Sequence, residues 1–223
     1  MIVDIHTRIG RHPLHEFKQT PEELLAIMDE HGIDMSFLLP FPSMKTRENN
    51  DLIAEAVKEH ADRFIGFAGI DPTAKDALDE VKRSVSLGLE GIMLDPEYHK
   101  FFSRNMTKVE ALIVSCMEHG LPVLINTENI VSRGGESYFK ALDLLAFKFP
   151  DIRMIVHLNW PRVGELMRAH RNIILYTGGH HNTPGPTPRI AEVGPTRICL
   201  GTESPGNHPA LKIRDIRAKK IDP

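Results

Sequence analysis

Several things are scarce in this chain, and each scarcity removes a class of protein. Its 223 residues contain two cysteines, Cys116 and Cys199, both inside apolar stretches and far from any metal-type spacing. They read as small core side chains rather than a disulfide, which fits a reducing cytoplasm. No run approaches the ~18 apolar residues of a membrane span, so no membrane partner is expected. Position 4 is an acid and no apolar h-region follows it, so a secretory leader is not expected either. Basic residues are not in excess: 27 Lys and Arg face 30 Asp and Glu, for a net charge of −3. That balance gives no reason to expect nucleic acid as a partner. No linker or low-complexity tract divides the chain. The expectation is a cytoplasmic protein with a small-molecule partner, forming a single domain over residues 1–223, with 41% hydrophobic content to fill one large core.

What is present is a recurring unit: a short apolar run, a polar loop, an amphipathic helix, then Gly, Pro or Asp. The spacing predicts strands at Ile2–His6, Ile33–Leu39, Phe64–Ile70, Leu89–Leu94, Pro122–Asn126, Arg153–Leu158, Ile173–Tyr176 and Arg197–Leu200. Thr20-Pro21-Glu22-Glu23 is a capping box with Pro at the first helical position, and Leu24, Leu25 and Met28 supply a buried face. Thr107 and Glu110 suggest a second box before Leu112, Ile113, Cys116 and Met117, with Gly120 closing that helix. Gly88 ends a helix carrying Leu78, Val81 and Val85 in the same way. Strands alternating with helices indicate an α/β fold with a parallel sheet, and a count of eight favours a closed (β/α)8 TIM barrel.

In such a barrel the chemistry belongs at the C-terminal ends of the strands, which converge on one mouth. His6, Asp95, Asn126, Glu128, His157 and Glu203 all fall at or just beyond predicted strand ends. His180 and His181 follow Gly178-Gly179 in a Pro- and Gly-rich loop expected at the same face, and His12, His15 and His99 lie in or near other loops there. Lys212, Arg214, Arg217, Lys219 and Lys220 read as a solvated helix face.

Five segments in order resemble the amidohydrolase-related family, the branch holding aminocarboxymuconate-semialdehyde and resorcylate-type decarboxylases beside hydrolases. They are Asp4-Ile5-His6-Thr7-Arg8, Gly88–Leu94, His119–Thr127, Val156-His157-Leu158 and Leu200-Gly201-Thr202-Glu203-Ser204-Pro205. The resemblance runs over almost the whole chain and implies that His6 and His157 are metal ligands. It implies that Glu203 replaces the strand-eight aspartate that serves as ligand and general base. Arg8 and Asn126 stand where family members carry histidines, and Met93 where many carry lysine. The stretch Ala210–Pro223 resembles only the start of the family's last helical region, which implies a barrel short on that side or completed by a second copy in a homo-oligomer.

Two imidazoles and a carboxylate suffice for a catalytic divalent ion, zinc first and manganese second. Such an ion lowers the pKa of bound water towards ~7 and polarises a carbonyl. Arg8 argues for the opposite arrangement. Two residues from His6 on an alternating strand, it faces the same side, where a fixed cation and a divalent ion repel. A metal-free site uses Arg8 as the positive charge, paired with Glu203 or Glu128 and offering its fork to a substrate carboxylate. The resulting expectation is a hydrolase or decarboxylase of a small carboxylated substrate. Glu203, His157 and Arg8 are its catalytic groups, and Arg8, Asn126, Glu128 and His180 bind substrate. In the metal-free variant a lactonase-like hydrolysis is more natural. The competing expectation is a barrel that has lost catalysis and only binds a ligand, which the residues at positions 8 and 126 favour.

Overall fold

The structure, a computed structural model, describes residues 1–13, 16–102, 105–127, 135–157, 162–178, 190–191 and 193–218. Among the described residues nine strands run in chain order: β1 (Val3–Arg11), β2 (Lys18–Gln19), β3 (Met35–Pro40), β4 (Phe64–Gly69), β5 (Gly91–Leu94), β6 (Val123–Ile125), β7 (Met154–His157), β8 (Ile173–Thr177) and β9 (Ile198–Leu200). They lie in the order β2-β1-β3-β4-β5-β6-β7-β8-β9. Every neighbouring pair from β1–β3 to β8–β9 is parallel, and only the small β2 runs against β1. The two ends of the sheet meet just beyond β9. There Thr7 bridges Ser204 in parallel, Arg8 N–H donates to the Ser204 carbonyl at 2.8 Å, and Glu203 N–H donates to the His6 carbonyl at 2.8 Å. The eight parallel strands therefore close into the expected barrel.

The described helices are α1 (Pro21–His31), α2 (Thr46–Glu59), α3 (Ala77–Ser86), α4 (Pro96–His99), α5 (Met106–Glu118), α6 (Gly135–Lys148), α7 (Val163–Ala169) and α8 (Pro209–Ala218). Thr20 caps α1 through the full reciprocal box with Glu23, and Gly32 ends the helix at φ 68°, a left-handed conformation that glycine adopts without steric cost. The expected second box does not form. Asn105 takes the N-cap of α5, which starts at Met106, so Thr107 is already inside the first turn. Leu78 and Met117, two of the apolar residues named for these helices, turn outward to solvent. The expected basic face on α8 is also only partly solvated: Arg214 and Arg217 are exposed, whereas half-buried Lys212 donates from Nζ to the Gly178 carbonyl at 3.2 Å. Lys219 and Lys220 lie outside the described residues. Among the described residues no helix is long and apolar enough to cross a membrane. Both cysteines are free thiols, Cys116 in the outer core and Cys199 inside the barrel.

Alternate strand residues divide between two apolar layers. Leu38, Phe64, Ile92, Val123, Val156 and Leu175 face out and pack beneath the helices. Ile5, Leu39, Phe67, Met93, Leu124, Ile155 and Tyr176 face in and plug the barrel. On β1 the alternation breaks once. Asp4 pairs with Ser36 but Thr7 with Leu38, so β1 holds one extra residue, a β-bulge. As a result both Ile5 and His6 face the lumen, and Arg8 follows His6 inward while Ile9 joins the outer core.

Candidate active site

The mouth is organised from Asp4, which is fully buried. Its carboxylate accepts the backbone N–H of His6 at 3.1 Å, the N–H of Thr202 at 3.0 Å and the Thr202 hydroxyl. Burial pushes its pKa up to about 7, against the lowering effect of those hydrogen bonds. Asp4 thus clasps the two strand ends that carry His6 and Glu203. Gln19 and Ser204 extend the clasp: Ser204 Oγ donates to Gln19 Oε1 at 2.8 Å, and Gln19 Nε2 donates to the Arg8 carbonyl at 2.9 Å.

His6 is buried and stacks on Tyr176, with ring centroids 4.6 Å apart and planes 9° from parallel. Burial, then the Arg8 cation and His157, lower its pKa to about 3, outweighing the opposite pull of Glu203. The ring is therefore neutral. Nε2 lies 3.5 Å from Arg8 Nη2, which assigns it the acceptor role and puts the proton on Nδ1. That buried Nδ1 has no hydrogen-bond partner among the described residues.

Arg8 is 7% exposed, and its guanidinium meets mainly neutral groups. Nη1 donates to the Pro40 carbonyl and lies 3.5 Å from Met93 Sδ, and the Phe41 ring is 5.8 Å away. Among the described residues no carboxylate lies within ion-pair distance. The expected pairing of Arg8 with Glu203 does not form, because Glu203 is turned to His157. Glu128, the other expected partner, lies outside the described residues, as do His180, His181 and His15. A cation held in a water-poor site without a counter-charge favours an anionic ligand.

His157 and Glu203 meet across the mouth. Both are buried, and His157 Nε2 lies 3.3 Å from Glu203 Oε1, in contact but without the alignment of a hydrogen bond. Thr127 Oγ1 accepts the His157 backbone N–H at 3.0 Å and fixes the end of β7. Asn207 Nδ2 donates to Glu203 Oε2 at 3.0 Å, and the Glu203 backbone sits at φ 64°. Tyr176 lies beneath both histidines, 5.1 Å from the His157 ring. Asn126 is held to one side: its Nδ2 donates to Asp95 Oδ2 at 2.8 Å, while Asp95 Oδ1 caps α4 by accepting the Tyr98 N–H. His12 packs edge-on against Phe17 and Phe41, and His99 ends α4 with Nε2 3.4 Å from the Ser43 carbonyl.

The structure does not gather His6, His157 and Glu203, the ligand set implied by the sequence, into one metal-holding group. Among the described residues no three His, Cys, Asp or Glu side chains are placed to hold a metal. The Nε2 of His6 also faces the Arg8 guanidinium rather than an open position. Sequence reasoning missed Tyr176, Thr127, Gln19 and Gly178 as parts of the site. Thr202 lay in a motif already singled out, but its clasp on Asp4 depends on barrel closure.

The amidohydrolase family model matches residues 4–220. No curated protein matches the chain. Among solved structures, it is similar to 2,6-dihydroxybenzoate decarboxylase from Rhizobium, at 17% identity and TM-score 0.75, covering 99% of this chain and 93% of that one. It is also similar to a probable 2-pyrone-4,6-dicarboxylic acid hydrolase from Acinetobacter baumannii with citric acid bound, at 16% identity and TM-score 0.61, covering 98% and 91%. A Burkholderia multivorans amidohydrolase with bound zinc matches at 10% identity and TM-score 0.71, covering 100% and 93%. At these identities the structural likenesses establish the fold, and the family model establishes the lineage. The chain belongs to the amidohydrolase family.

Proposed function

We propose that residues 1–223 form one catalytic barrel that acts on a small carboxylated substrate at its C-terminal mouth, by metal-independent hydrolysis of an activated ester or lactone. The observation that carries this reading is the buried Arg8 cation, which has no carboxylate partner among the described residues, next to the His157–Glu203 pair. Arg8 would take the substrate carboxylate, or the oxygen that becomes negative on attack. Glu203, with His157, would accept a proton from water as the water oxygen bonds to the carbonyl carbon. The C–O bond to the leaving oxygen then breaks, and that oxygen takes the proton back. Neutral His6 would offer its Nδ1–H, and Asn126, Glu128 and His180 remain candidate contacts to the rest of the substrate. Two structural neighbours are named for small carboxylated rings, one a decarboxylase and one a hydrolase, which supports this substrate class.

The test joins metal analysis to a substrate screen. Protein purified without chelator from zinc- and manganese-replete cells is assayed against carboxylated lactones, with CO2 release followed in parallel on hydroxybenzoates. The expected result is lactone opening with less than stoichiometric metal, insensitive to chelator. Near-stoichiometric zinc or manganese that is lost in His157→Ala would replace this reading with a metalloenzyme. CO2 release without lactone opening would make the chain a decarboxylase. Carboxylate binding without any turnover would leave a ligand-binding barrel.

A further inference from the structure

We infer that Gly178 is a positioning residue for the Glu203–His157 pair, because its missing side chain is the space in which the two groups meet. The inference rests on the proposed role of that pair in proton transfer. Gly178 follows directly on β8 at the barrel mouth. A Cβ built there would lie 1.9 Å from Glu203 Oε1, 2.7 Å from Glu203 Cδ and 2.7 Å from His157 Nε2. Close-packed interiors do not tolerate such approaches without moving one partner.

Backbone freedom does not explain the glycine. Gly178 is not among the glycines at positive φ, so its conformation is open to other residues. What it supplies is volume. The end of the Glu203 side chain has to move, away from the carboxyl position that Asn207 Nδ2 holds through Oε2 at 3.0 Å. Lys212 Nζ holds the Gly178 carbonyl at 3.2 Å from α8, and the Glu203 N–H holds the His6 carbonyl at 2.8 Å. Glu203 is one methylene longer than the aspartate that the family resemblance implies at this position. The longer acid reaches His157 over bare backbone, so positions 178 and 203 act as a matched small–large pair. An aspartate at 203 would stop short and remove the two Glu203 approaches, leaving a methyl group at 178 only the one to His157 Nε2 at 2.7 Å.

Four proteins test this: wild type, Gly178→Ala, Glu203→Asp and the double variant, compared by thermal unfolding and by steady-state kinetics on the lactone opened in the screen. Gly178→Ala should lower Tm by roughly 5 °C when Glu203 is present. It should also lower kcat about 100-fold by displacing the carboxylate, with KM little changed. In the Glu203→Asp background the same substitution should cost less than half that Tm shift and no further kcat. Equal destabilisation in both backgrounds would overturn the inference. If Gly178→Ala fails to fold, a folded double variant supports the matched pair and an unfolded one overturns it. The Tm comparison needs no substrate, so a protein inactive on every compound would sink the proposed reaction and still decide whether residues 178 and 203 meet.

Discussion

In the lower half of the barrel interior, Val3, Phe37, Ile65, Ile174 and Cys199 pack beneath Ile5, Leu39, Phe67, Leu124 and Ile155, with no charged side chain among them. In the upper half, towards the C-terminal strand ends, His6, Arg8, Asn126, His157 and Glu203 are just as buried, and all are polar or charged. The same eight strands build both halves a few residues apart. The lower half stabilises the fold by removing apolar surface from water. The upper half works against it, holding a cation without a counter-charge and an imidazole N–H without a partner among the described residues, beside the buried Asp4 carboxyl, whose pKa is pushed up to about 7. Stability and reactivity are therefore separated along the barrel axis, and substitutions in the two halves should have opposite signatures.

The largest effect should come from the lower half. Phe67→Ala removes a ring stacked 5.2 Å from Phe37 and should cost about 3–5 kcal/mol of stability by urea unfolding, with surviving folded protein near wild-type KM. Glu203→Gln should do the reverse, slowing turnover about 10²–10⁴-fold while the unfolding midpoint barely moves. A fall in kcat of less than tenfold would remove Glu203 from the chemistry. Arg8→Met breaks the comparison most directly, since it should improve stability and harm function together. Deleting this buried cation should raise stability by about 1 kcal/mol, or about 2–4 °C in Tm. Calorimetric affinity for a benzoate- or pyrone-type carboxylate should fall about 10–100-fold. A lower Tm in that variant would mean the Pro40 and Met93 contacts outweigh the buried charge. Outside both halves, Thr20→Ala should cost about 1 kcal/mol by breaking the α1 cap, and nothing in kcat.

The lower half was largely legible in the sequence. All eight expected strands are present, because buried parallel strands show as short apolar runs between turn residues. The two-residue β2 was missed, having too few residues for any periodicity, and its pairing extends β1 to Arg11, beyond the expected end at His6. The upper half was legible as a set of residues but not as a set of contacts. His6 and Arg8 do share a side, yet the bulge that turns them inward appears only in the register with β3. Glu203 reaches His157 rather than Arg8 because its direction depends on a positive φ and on space above Gly178, neither of which a residue type announces. Asn126 was read as a substrate contact, and no residue type announced that its amide also donates to Asp95, a neighbour on the adjoining strand end.

The one extra residue in β1 has a consequence for how this barrel can vary. It works as a phase change within a single strand: before it, odd-numbered positions line the lumen, and after it, even-numbered ones do. Deleting one residue between Asp4 and Thr7 would leave composition and strand propensity almost untouched. It would nevertheless rotate the imidazole and the guanidinium towards the helices and bring their apolar neighbours to the mouth. The reagents at this opening are therefore specified by chain length at one point as much as by the identity of any side chain.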